Sequence, residues 1–493
     1  SFLMVYQATR SWAIRISGYL LQFHVTGRNH HFGANGENYD FYNPRFHHVG
    51  LLQFSRLRRK MPISRSHVSQ QKTNPVWPKW CSFGKGLQMR RICWLLVSMV
   101  ACLALLVPQT GFSSIAKQAT PSVTSNPDSC ITNYDENTDY FPDKVSVSYA
   151  SHFQVRYEKN YKVVTVAIDQ KSSPNTDRDV HQTYVLVQCG TPTPALTGDL
   201  AEAQLIEVPS HRVALSYGED AIFLATLGLT DRIVTVAGNR FINPELKAHI
   251  EDAQVALLGF PPNLEALVAA TPDLAIFFAQ NGDDFDQLDR IRQLGIPAVP
   301  SSKILEPLPL GRFEWIKYVA VFFNAEQSAN SIFNPVAQNY ETLTARAEAA
   351  QVKPGVLWAD PESGDFAVVQ NGWLSQLIAD AGGVNVFMDV TANQTTPIGI
   401  EAVVAKASTA EYWITRNGAA LLSSPTAGME AIKAYADGNV FDFTKRSVES
   451  GGNDYYETGA VRPDLILQDL IAIFHPEIVS SDQLYFFQRV AAS

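Results

Sequence analysis

The residues best suited to hold a ligand are arginines, aromatic residues and polar residues that follow predicted strands. Ligands of α/β proteins bind beside the carboxyl ends of the strands, where the connecting loops converge. Guanidinium groups and aromatic faces at such an edge suit a large flat ligand or an anionic one. The candidate ligand-binding residues are Tyr217, Arg240 and Asn281 in the first half of the predicted fold and Trp358, Arg416, Arg446, Asp454 and Tyr455 in the second half.

Two glutamates, Glu265 and Glu401, occupy the same position in two copies of one sequence pattern. Residues 263–278 read NLEALVAATPDLAIFF and residues 399–414 read GIEAVVAKASTAEYWI; each copy has helical spacing and then a buried strand. The repeat predicts two similar lobes with a cleft between them, and such clefts commonly bind ligands. Exposed glutamates often have no further role, but two equivalent carboxylates would also fit arginines of a two-fold symmetric partner.

The sequence contains none of the common catalytic or nucleotide-binding motifs. It has no G-x-S-x-G, H-E-x-x-H, Walker A or G-x-G-x-x-G pattern. The acidic run 283–286 lacks the spacing of a Ca²⁺ loop and is better explained as a helix start, where acids interact favourably with the helix dipole. We therefore predict that the protein is not an enzyme. The alternative is a secreted enzyme that uses Asp360, Asp365 or Asp454 in the cleft.

Alternating helices and short apolar strands predict an α/β fold with two Rossmann-like lobes. The N-terminal lobe spans 204–310, and the C-terminal lobe spans 351–479 and is followed by a tail at 480–493. Residues 311–350 predict a single long linker helix, in which Asn324 and Gln327 form a capping box and Pro335 introduces a kink or a new start. Residues 117–203 predict a flexible lead-in and an N-terminal β extension.

The first 116 residues differ from the rest of the chain in charge and composition. Residues 1–88 carry 12 Lys or Arg and 2 Asp or Glu, whereas the remaining residues carry 27 and 46. The acidic body argues against a nucleic-acid partner. We expect 1–88 to be a leader without regular structure, or spurious upstream sequence. Residues 89–116 have the basic start, apolar run and small-residue end of a signal peptide, and Cys102 follows a loose lipobox, so a lipid anchor is the alternative.

The exported part of the chain retains two cysteines, Cys130 and Cys189. The other three, Cys81, Cys93 and Cys102, lie in the predicted leader or signal peptide. In an oxidising compartment two remaining cysteines can pair, so we expect a disulfide bond between them.

Several longer segments resemble the periplasmic substrate-binding proteins for iron–siderophore, haem and cobalamin uptake, which are receptors of ABC transporters. The resemblance is carried by RVALSYGEDAIFLATLGLTDRIVTVAG at 212–238, by NLEALVAATPDLAIFF and by the linker segment, and it covers about 204–478. The segments NYDENTDYFPDKV, YKVVTV, YVLVQCG and GGNDYYETGAVRPDLILQDLIAIFHPE are similar to a subgroup with an extra N-terminal β segment, which extends the match to about residue 130. Each motif is degenerate, and the order and spacing of all of them make the resemblance specific.

The resemblance implies two lobes that hold a ligand in their cleft, with no catalysis and no resident cofactor. It also implies that Glu265 and Glu401 dock onto arginines of a dimeric permease. The protein would then be a periplasmic monomer that meets the membrane only through the permease or a lipid anchor. A ferric siderophore gripped by arginines is the favoured ligand. The alternatives are haem held by phenolates of Tyr217, Tyr455 or Tyr456, cobalamin, or a ligand that a sensor subunit presents to a signalling partner.

Overall fold

The computed structural model describes residues 5–7, 11–16, 19–24, 123–170, 177–253, 255–362, 364–392, 394–416, 418–423 and 425–490. The predicted signal peptide at 89–116 lies outside the described residues. Within 1–88, where the sequence predicts no regular structure, three short strands form an antiparallel sheet in chain order. They are β1 (Val5–Gln7), β2 (Ser11–Ile16) and β3 (Tyr19–His24).

The β extension is a four-stranded sheet whose strands are adjacent in chain order. They are β4 (Phe153–Tyr157), β5 (Tyr161–Ile168), β6 (Val180–Gln188) and β7 (Gln204–Val208). The first three pair antiparallel, whereas β7 pairs parallel with β6. Strand β7 lies beyond the predicted boundary at 203, so the extension includes a strand that the sequence assigns to the N-terminal lobe. A short apolar run fits either sheet, and its pairing partner decides between them.

The N-terminal lobe is a five-stranded parallel sheet with connecting helices. Its strands are β8 (Val213–Leu215), β9 (Ile233–Val236), β10 (Ala256–Leu257), β11 (Leu274–Phe278) and β12 (Ala298–Ser301). Its helices are α1 (Gly218–Thr226), α2 (Pro244–Asp252), α3 (Leu264–Ala269) and α4 (Gly282–Gln293). The strand order β10-β9-β8-β11-β12 reverses its direction between β8 and β11, which creates a crevice at the carboxyl edge. The predicted α/β architecture is confirmed here.

Two helices join the lobes where the sequence predicts one. They are α5 (Pro309–Ala320) and α6 (Glu326–Glu348), and Pro335 lies inside the continuous α6. Between them Asn324 has a φ of 55°, a left-handed conformation that asparagine tolerates better than most residues. The Asn324 side chain accepts from Lys162 Nζ (2.7 Å) in the β extension. The predicted capping box with Gln327 is not formed, since α6 begins after Ala325 without a side-chain cap.

The C-terminal lobe is built on a mixed seven-stranded sheet. Its strands are β13 (Gly355–Glu362), β14 (Asp365–Val369), β15 (Val384–Asn385), β16 (Thr395–Ile398), β17 (Tyr412–Thr415), β18 (Val440–Asp442) and β19 (Gln488–Arg489). Its helices are α7 (Gly372–Asp380), α8 (Ile400–Ala407), α9 (Gly418–Ser423), α10 (Lys433–Ala436), α11 (Asp454–Val461) and α12 (Pro463–Phe474). Strands β15, β13, β17 and β18 form the parallel part, and β14, β16 and β19 pair antiparallel. Strand β19 belongs to the predicted tail at 480–493, which is therefore part of this lobe.

Buried charges attach the β extension to the two linker helices. Lys162 and Glu326 form an ion pair of 2.6 Å with both side chains fully buried. Glu314 accepts hydrogen bonds from the backbone N–H groups of residues 148–150. Because buried charges are costly without partners, these contacts tie the extension to the linker. None of the helices in the described ranges is both long and apolar enough to cross a bilayer.

Candidate functional site

A pocket lies between the two lobes at the amino ends of helices α1, α5, α7 and α11. Its cavity volume is about 50 Å³, and this rises to about 530 Å³ only when the solvent-open space at its mouth is counted. Helix α1 begins three residues after strand β8, so its first turn lies at the carboxyl edge of the parallel sheet of the N-terminal lobe, and α7 begins three residues after the antiparallel strand β14. The polar lining residues are Glu219, Arg312, Trp373, Tyr455 and Tyr456, and the other lining residues are apolar or glycine.

Arg312 supplies positive charge to the pocket wall from the linker helix α5. Its Nη2 atom lies 3.3 Å from Glu219 Oε2, and its guanidinium carbon lies 4.0 Å from the ring centroid of Trp373. Both members of this ion pair are only 11% exposed. The ion pair is neutral overall, and the carboxylate and the aromatic face hold the guanidinium at a fixed place in the pocket wall, where it can donate hydrogen bonds to a ligand.

Two buried hydrogen-bond donors of the pocket wall have no partner among the described residues. They are the Tyr455 hydroxyl and the Trp373 indole N–H. The Tyr455 ring is 4% exposed and stacks on Phe443 with a centroid distance of 4.2 Å. Burial raises the pKa of Tyr455 far above its usual range, so the hydroxyl keeps its proton and acts as a donor. Since an unsatisfied buried polar group costs about 1–3 kcal/mol, these two donors indicate a place for acceptor atoms of a ligand.

Tyr217 lies beside the pocket and is not part of its lining. Its ring packs on Phe278 at a centroid distance of 5.1 Å, and Lys303 Nζ lies 4.3 Å from its ring centroid. Lys303 forms a buried ion pair with Asp220 (2.7 Å), which also accepts from Ser301 Oγ. These contacts hold the first turn of α1, which forms one wall of the pocket.

Asn281 and Trp358 have structural positions outside the lining of the pocket. Asn281 is the N-cap of α4, where its side chain accepts from Asp284 N (3.2 Å) and forms a capping box. The next residue, Gly282, donates its N–H to Asp177 Oδ1 (2.7 Å), so a carboxylate of the β extension already occupies this helix end. Trp358 is 2% exposed because its strand, β13, is covered by the core of the lobe.

Arg416 and Arg446 pair with acids of their own lobe and do not line the pocket. Arg416 Nη2 lies 3.3 Å from Asp360 Oδ2, and Arg446 Nε lies 2.5 Å from Asp454 Oδ2. Two of the three carboxylates of the enzyme hypothesis are therefore engaged by arginines. The third, Asp365, is exposed as the first residue of β14. Both arginines and Asp454 thus have local ion-pair partners, and none of the three belongs to the pocket lining.

The positive charge of the pocket comes from an arginine that the sequence did not single out. Arg240, which was predicted, is exposed on the loop after β9 and is not part of the lining. Arg312 lies on a segment whose pattern indicates only a packed helix, so no local signal was available. Trp373 follows strand β14 by four residues, but β14 pairs antiparallel with β13, so the rule for the carboxyl ends of parallel strands does not single it out.

Glu265 and Glu401 occupy equivalent places in the two lobes. Each is the second residue of its helix, α3 or α8, and each side chain is exposed. The Asn263 side chain accepts from Glu265 N (3.0 Å) and Ala266 N (3.1 Å), so the first turn of α3 is capped. A carboxylate in the first turn also interacts favourably with the helix dipole.

Cys130 and Cys189 are joined by a disulfide bond in the β extension, with their Cα atoms 4.6 Å apart. The backbone supports the pair, since Ile131 N donates to Cys189 O (2.9 Å). Glu207 lies close enough to the two sulfur atoms to form a group of potential metal ligands with them. Because both sulfur atoms are bonded to each other, they are not available as metal ligands. The disulfide links the lead-in segment covalently to Cys189, which directly follows β6.

Comparison with known proteins finds similarity between part of this chain and one described family. Residues 213–446 match the model of the family described as periplasmic binding protein. An uncharacterized lipoprotein of Methanocaldococcus jannaschii is 28% identical over 234 residues, which cover 46% of this chain and 54% of that relative. The match thus spans about half the length of this relative. A second uncharacterized lipoprotein of the same organism is 22% identical over 358 residues, which cover 70% of this chain and 86% of the relative.

Two solved structures align with this chain at low sequence identity. The siderophore-binding protein BauB, bound to a complex between two molecules of acinetobactin and ferric iron, has 17% identity and a TM-score of 0.43. The alignment covers 63% of this chain and 99% of that protein. A periplasmic haem-binding protein from Pseudomonas aeruginosa has 20% identity and a TM-score of 0.42, with 54% of this chain and 93% of that protein covered.

The family match runs from the first strand of the N-terminal lobe, through both linker helices, to the loop after β18. It therefore includes parts of both lobes that enclose the pocket. Residues 213–446 therefore form a domain similar to those of the periplasmic binding protein family.

Proposed function

We propose that this protein is the substrate-binding receptor of an ABC importer and that its pocket captures an anionic metal complex, in the first place a ferric siderophore. The observation that carries the proposal is the donor set of the pocket. The Tyr455 hydroxyl and the Trp373 indole N–H lack partners among the described residues and lie in the same wall as Arg312. Donors grouped around a positive charge fit a ligand whose outer atoms are carboxylate, hydroxamate or catecholate oxygens.

The same donors fit a complex in which the iron is already fully coordinated better than they fit haem whose iron is bound by a tyrosine. Such haem binding requires a phenolate, and burial opposes ionisation of Tyr455 by raising its pKa. The ring of Tyr217 is packed between Phe278 and Lys303 beside the pocket. A coordinated ferric complex needs only hydrogen bonds, positive charge and shape from the protein, and the pocket wall offers the first two.

Delivery of the ligand would use Glu265 and Glu401. One exposed carboxylate in each lobe, at equivalent positions, fits a permease dimer with an arginine site on each half. A receptor of this kind acts outside the cytoplasm as a monomer and has no catalytic role. The two Methanocaldococcus jannaschii relatives are named as lipoproteins, and a signal peptide or a lipid anchor would place this chain in the same kind of compartment.

The proposal is tested by thermal unfolding of the protein with ferric catecholate, hydroxamate and citrate complexes, haem and cobalamin. We expect one class of ferric complex to raise the unfolding midpoint increasingly with concentration, because a ligand that binds only the folded state stabilises it by mass action. Arg312→Met should weaken this binding by about tenfold or more, since it removes hydrogen bonds to a charged group. Arg240→Met, the control, removes an arginine outside the pocket wall and should leave the shift unchanged.

Two results would contradict the proposal at different levels. A shift of the unfolding midpoint produced only by haem would refute the assignment of the ligand. A shift that Arg312→Met does not change would refute the assignment of the pocket. A well-folded protein whose midpoint no member of the panel changes would refute the receptor for iron complexes.

A further inference from the structure

A carboxylate of the C-terminal lobe is bound to the backbone of the N-terminal lobe beside the pocket. Glu457 Oε1 accepts from Ile242 N (2.6 Å), and Glu457 Oε2 accepts from Asn243 N (2.7 Å). Glu457 is 7% exposed, although it is charged and lies near the boundary between the lobes. The two N–H groups belong to the loop between β9 and α2, so this contact joins elements from opposite sides of the cleft.

The backbone of the C-terminal lobe approaches the same loop closely at Gly452. A Cβ atom added at this position would lie 3.0 Å from Arg240 O and 2.9 Å from Ile242 Cγ1. The turn that carries Gly452 is closed by a hydrogen bond from Val448 N to Gly452 O (2.9 Å). Any side chain here would therefore have to displace the loop of the N-terminal lobe.

Helix α11 connects this contact to the ligand-binding wall. Glu457 lies on α11 directly after Tyr455 and Tyr456, which both line the pocket. We infer that Glu457 is a positioning residue: by capping the backbone at 242–243 it holds α11 against the N-terminal lobe and sets how widely the pocket opens. This inference concerns the pocket of the proposed receptor and holds for any ligand that the pocket takes.

Hydroxyl-radical labelling of the full chain, read by mass spectrometry without ligand, tests this role. Glu457→Ala and Gly452→Ala should each increase the labelling of Tyr455 and Trp373 severalfold. Glu457→Ala removes the hydrogen bonds to the backbone at 242–243, and Gly452→Ala introduces a side chain that pushes the same loop away. Glu457→Gln should restore most of the protection. A single amide oxygen can accept from two successive N–H groups, as Asn263 Oδ1 does at the start of α3.

The controls separate a change of pocket width from general unfolding. Glu449→Ala removes an exposed glutamate of the same segment and should leave the labelling unchanged. Trp413, which is fully buried in the core of the C-terminal lobe, should remain protected in every variant. Unchanged labelling of the pocket in both alanine variants would overturn the inference. An equal rise at Trp413 would also overturn it, because Glu457 would then serve overall stability. The measurement uses no ligand, so failure of the iron-complex panel leaves its outcome unaffected.

Discussion

Replacing Tyr455 by phenylalanine should make the empty protein more stable and its ligand complex weaker. The Tyr455 hydroxyl is buried, keeps its proton because burial raises its pKa, and has no hydrogen-bond partner among the described residues. The substitution removes this hydroxyl and leaves the ring in place for its stacking on Phe443. The pocket therefore loses a donor while its packing is retained.

The size of both effects follows from the state of the hydroxyl. An unsatisfied buried polar group costs about 1–3 kcal/mol, so Tyr455→Phe should raise the free energy of unfolding by up to that amount. In the complex, the hydroxyl would donate to an anionic acceptor, and a hydrogen bond to a charged group contributes about 1.5–3 kcal/mol. Its loss should raise the dissociation constant by about 10- to 100-fold.

Urea denaturation followed by circular dichroism measures the first effect, and titration with the stabilising ferric complex measures the second. The matched control is Tyr184→Phe. Tyr184 is also buried, but its hydroxyl contacts Gln182 and accepts from Arg292 Nη2 (2.9 Å). Removing a hydroxyl that has partners leaves those partners unsatisfied, so the control should lose about 1–3 kcal/mol of stability. Its ligand affinity should not change, because Tyr184 lies in the β extension.

The comparison between the two variants decides whether the reasoning is right. If Tyr455→Phe is destabilised as much as Tyr184→Phe, the hydroxyl of Tyr455 is already satisfied and the argument from an unpaired donor is refuted. If Tyr455→Phe is more stable but binds the ferric complex as well as the original protein, the hydroxyl does not contact the ligand.

Three further predictions concern residues outside the lining of the pocket. Lys162→Met should lower the free energy of unfolding by about 3–5 kcal/mol in urea denaturation, because it leaves the buried Glu326 without its partner; a loss near zero would contradict this. Cys130→Ser opens the disulfide to Cys189, which spans 59 residues of chain, and should cost about 4 kcal/mol. Reduction should destabilise the original protein equally and the variant not at all. Burial and a neighbouring carboxylate raise the pKa of Tyr149 to about 12 from 10.0. Because the folded state favours the neutral phenol, the contribution of Tyr149 to the free energy of unfolding is lost as the pH rises from 10.0 to about 12. In a titration followed by ultraviolet absorbance, Tyr149→Phe should remove one group that titrates near 12.

The order of helices and strands could largely be predicted because it depends on patterns along the chain. The repeat at 263–278 and 399–414 correctly predicted α3 with β11 and α8 with β17, since each copy changes from helical to strand spacing. The break in the linker could not be predicted, because Asn324 is held in its left-handed conformation partly by Lys162, which lies far away in sequence. Strands β7 and β19 were assigned to the wrong units for the same reason, since a short strand does not encode its partner.

The candidate site was predicted less well than the fold. The reasoning that ligands bind at the carboxyl edges of strands located the right region, and Tyr455 does line the pocket. The same reasoning named Arg416 and Arg446, which lie outside the pocket lining and pair with nearby carboxylates. It also missed Arg312, because the pattern of a packed helix does not show which of its residues faces a cleft.

The sequence by itself determined the two-lobe α/β plan and the equivalence of Glu265 and Glu401, because periodicity and internal repeats are properties of the chain. Only the tertiary structure decided which side chains meet between the lobes. It brought Arg312, Trp373 and Tyr455 into one wall from three separate helices and gave Glu457 a partner in the opposite lobe. The physical reason is that side-chain direction and charge pairing depend on elements that are close in space but distant in sequence.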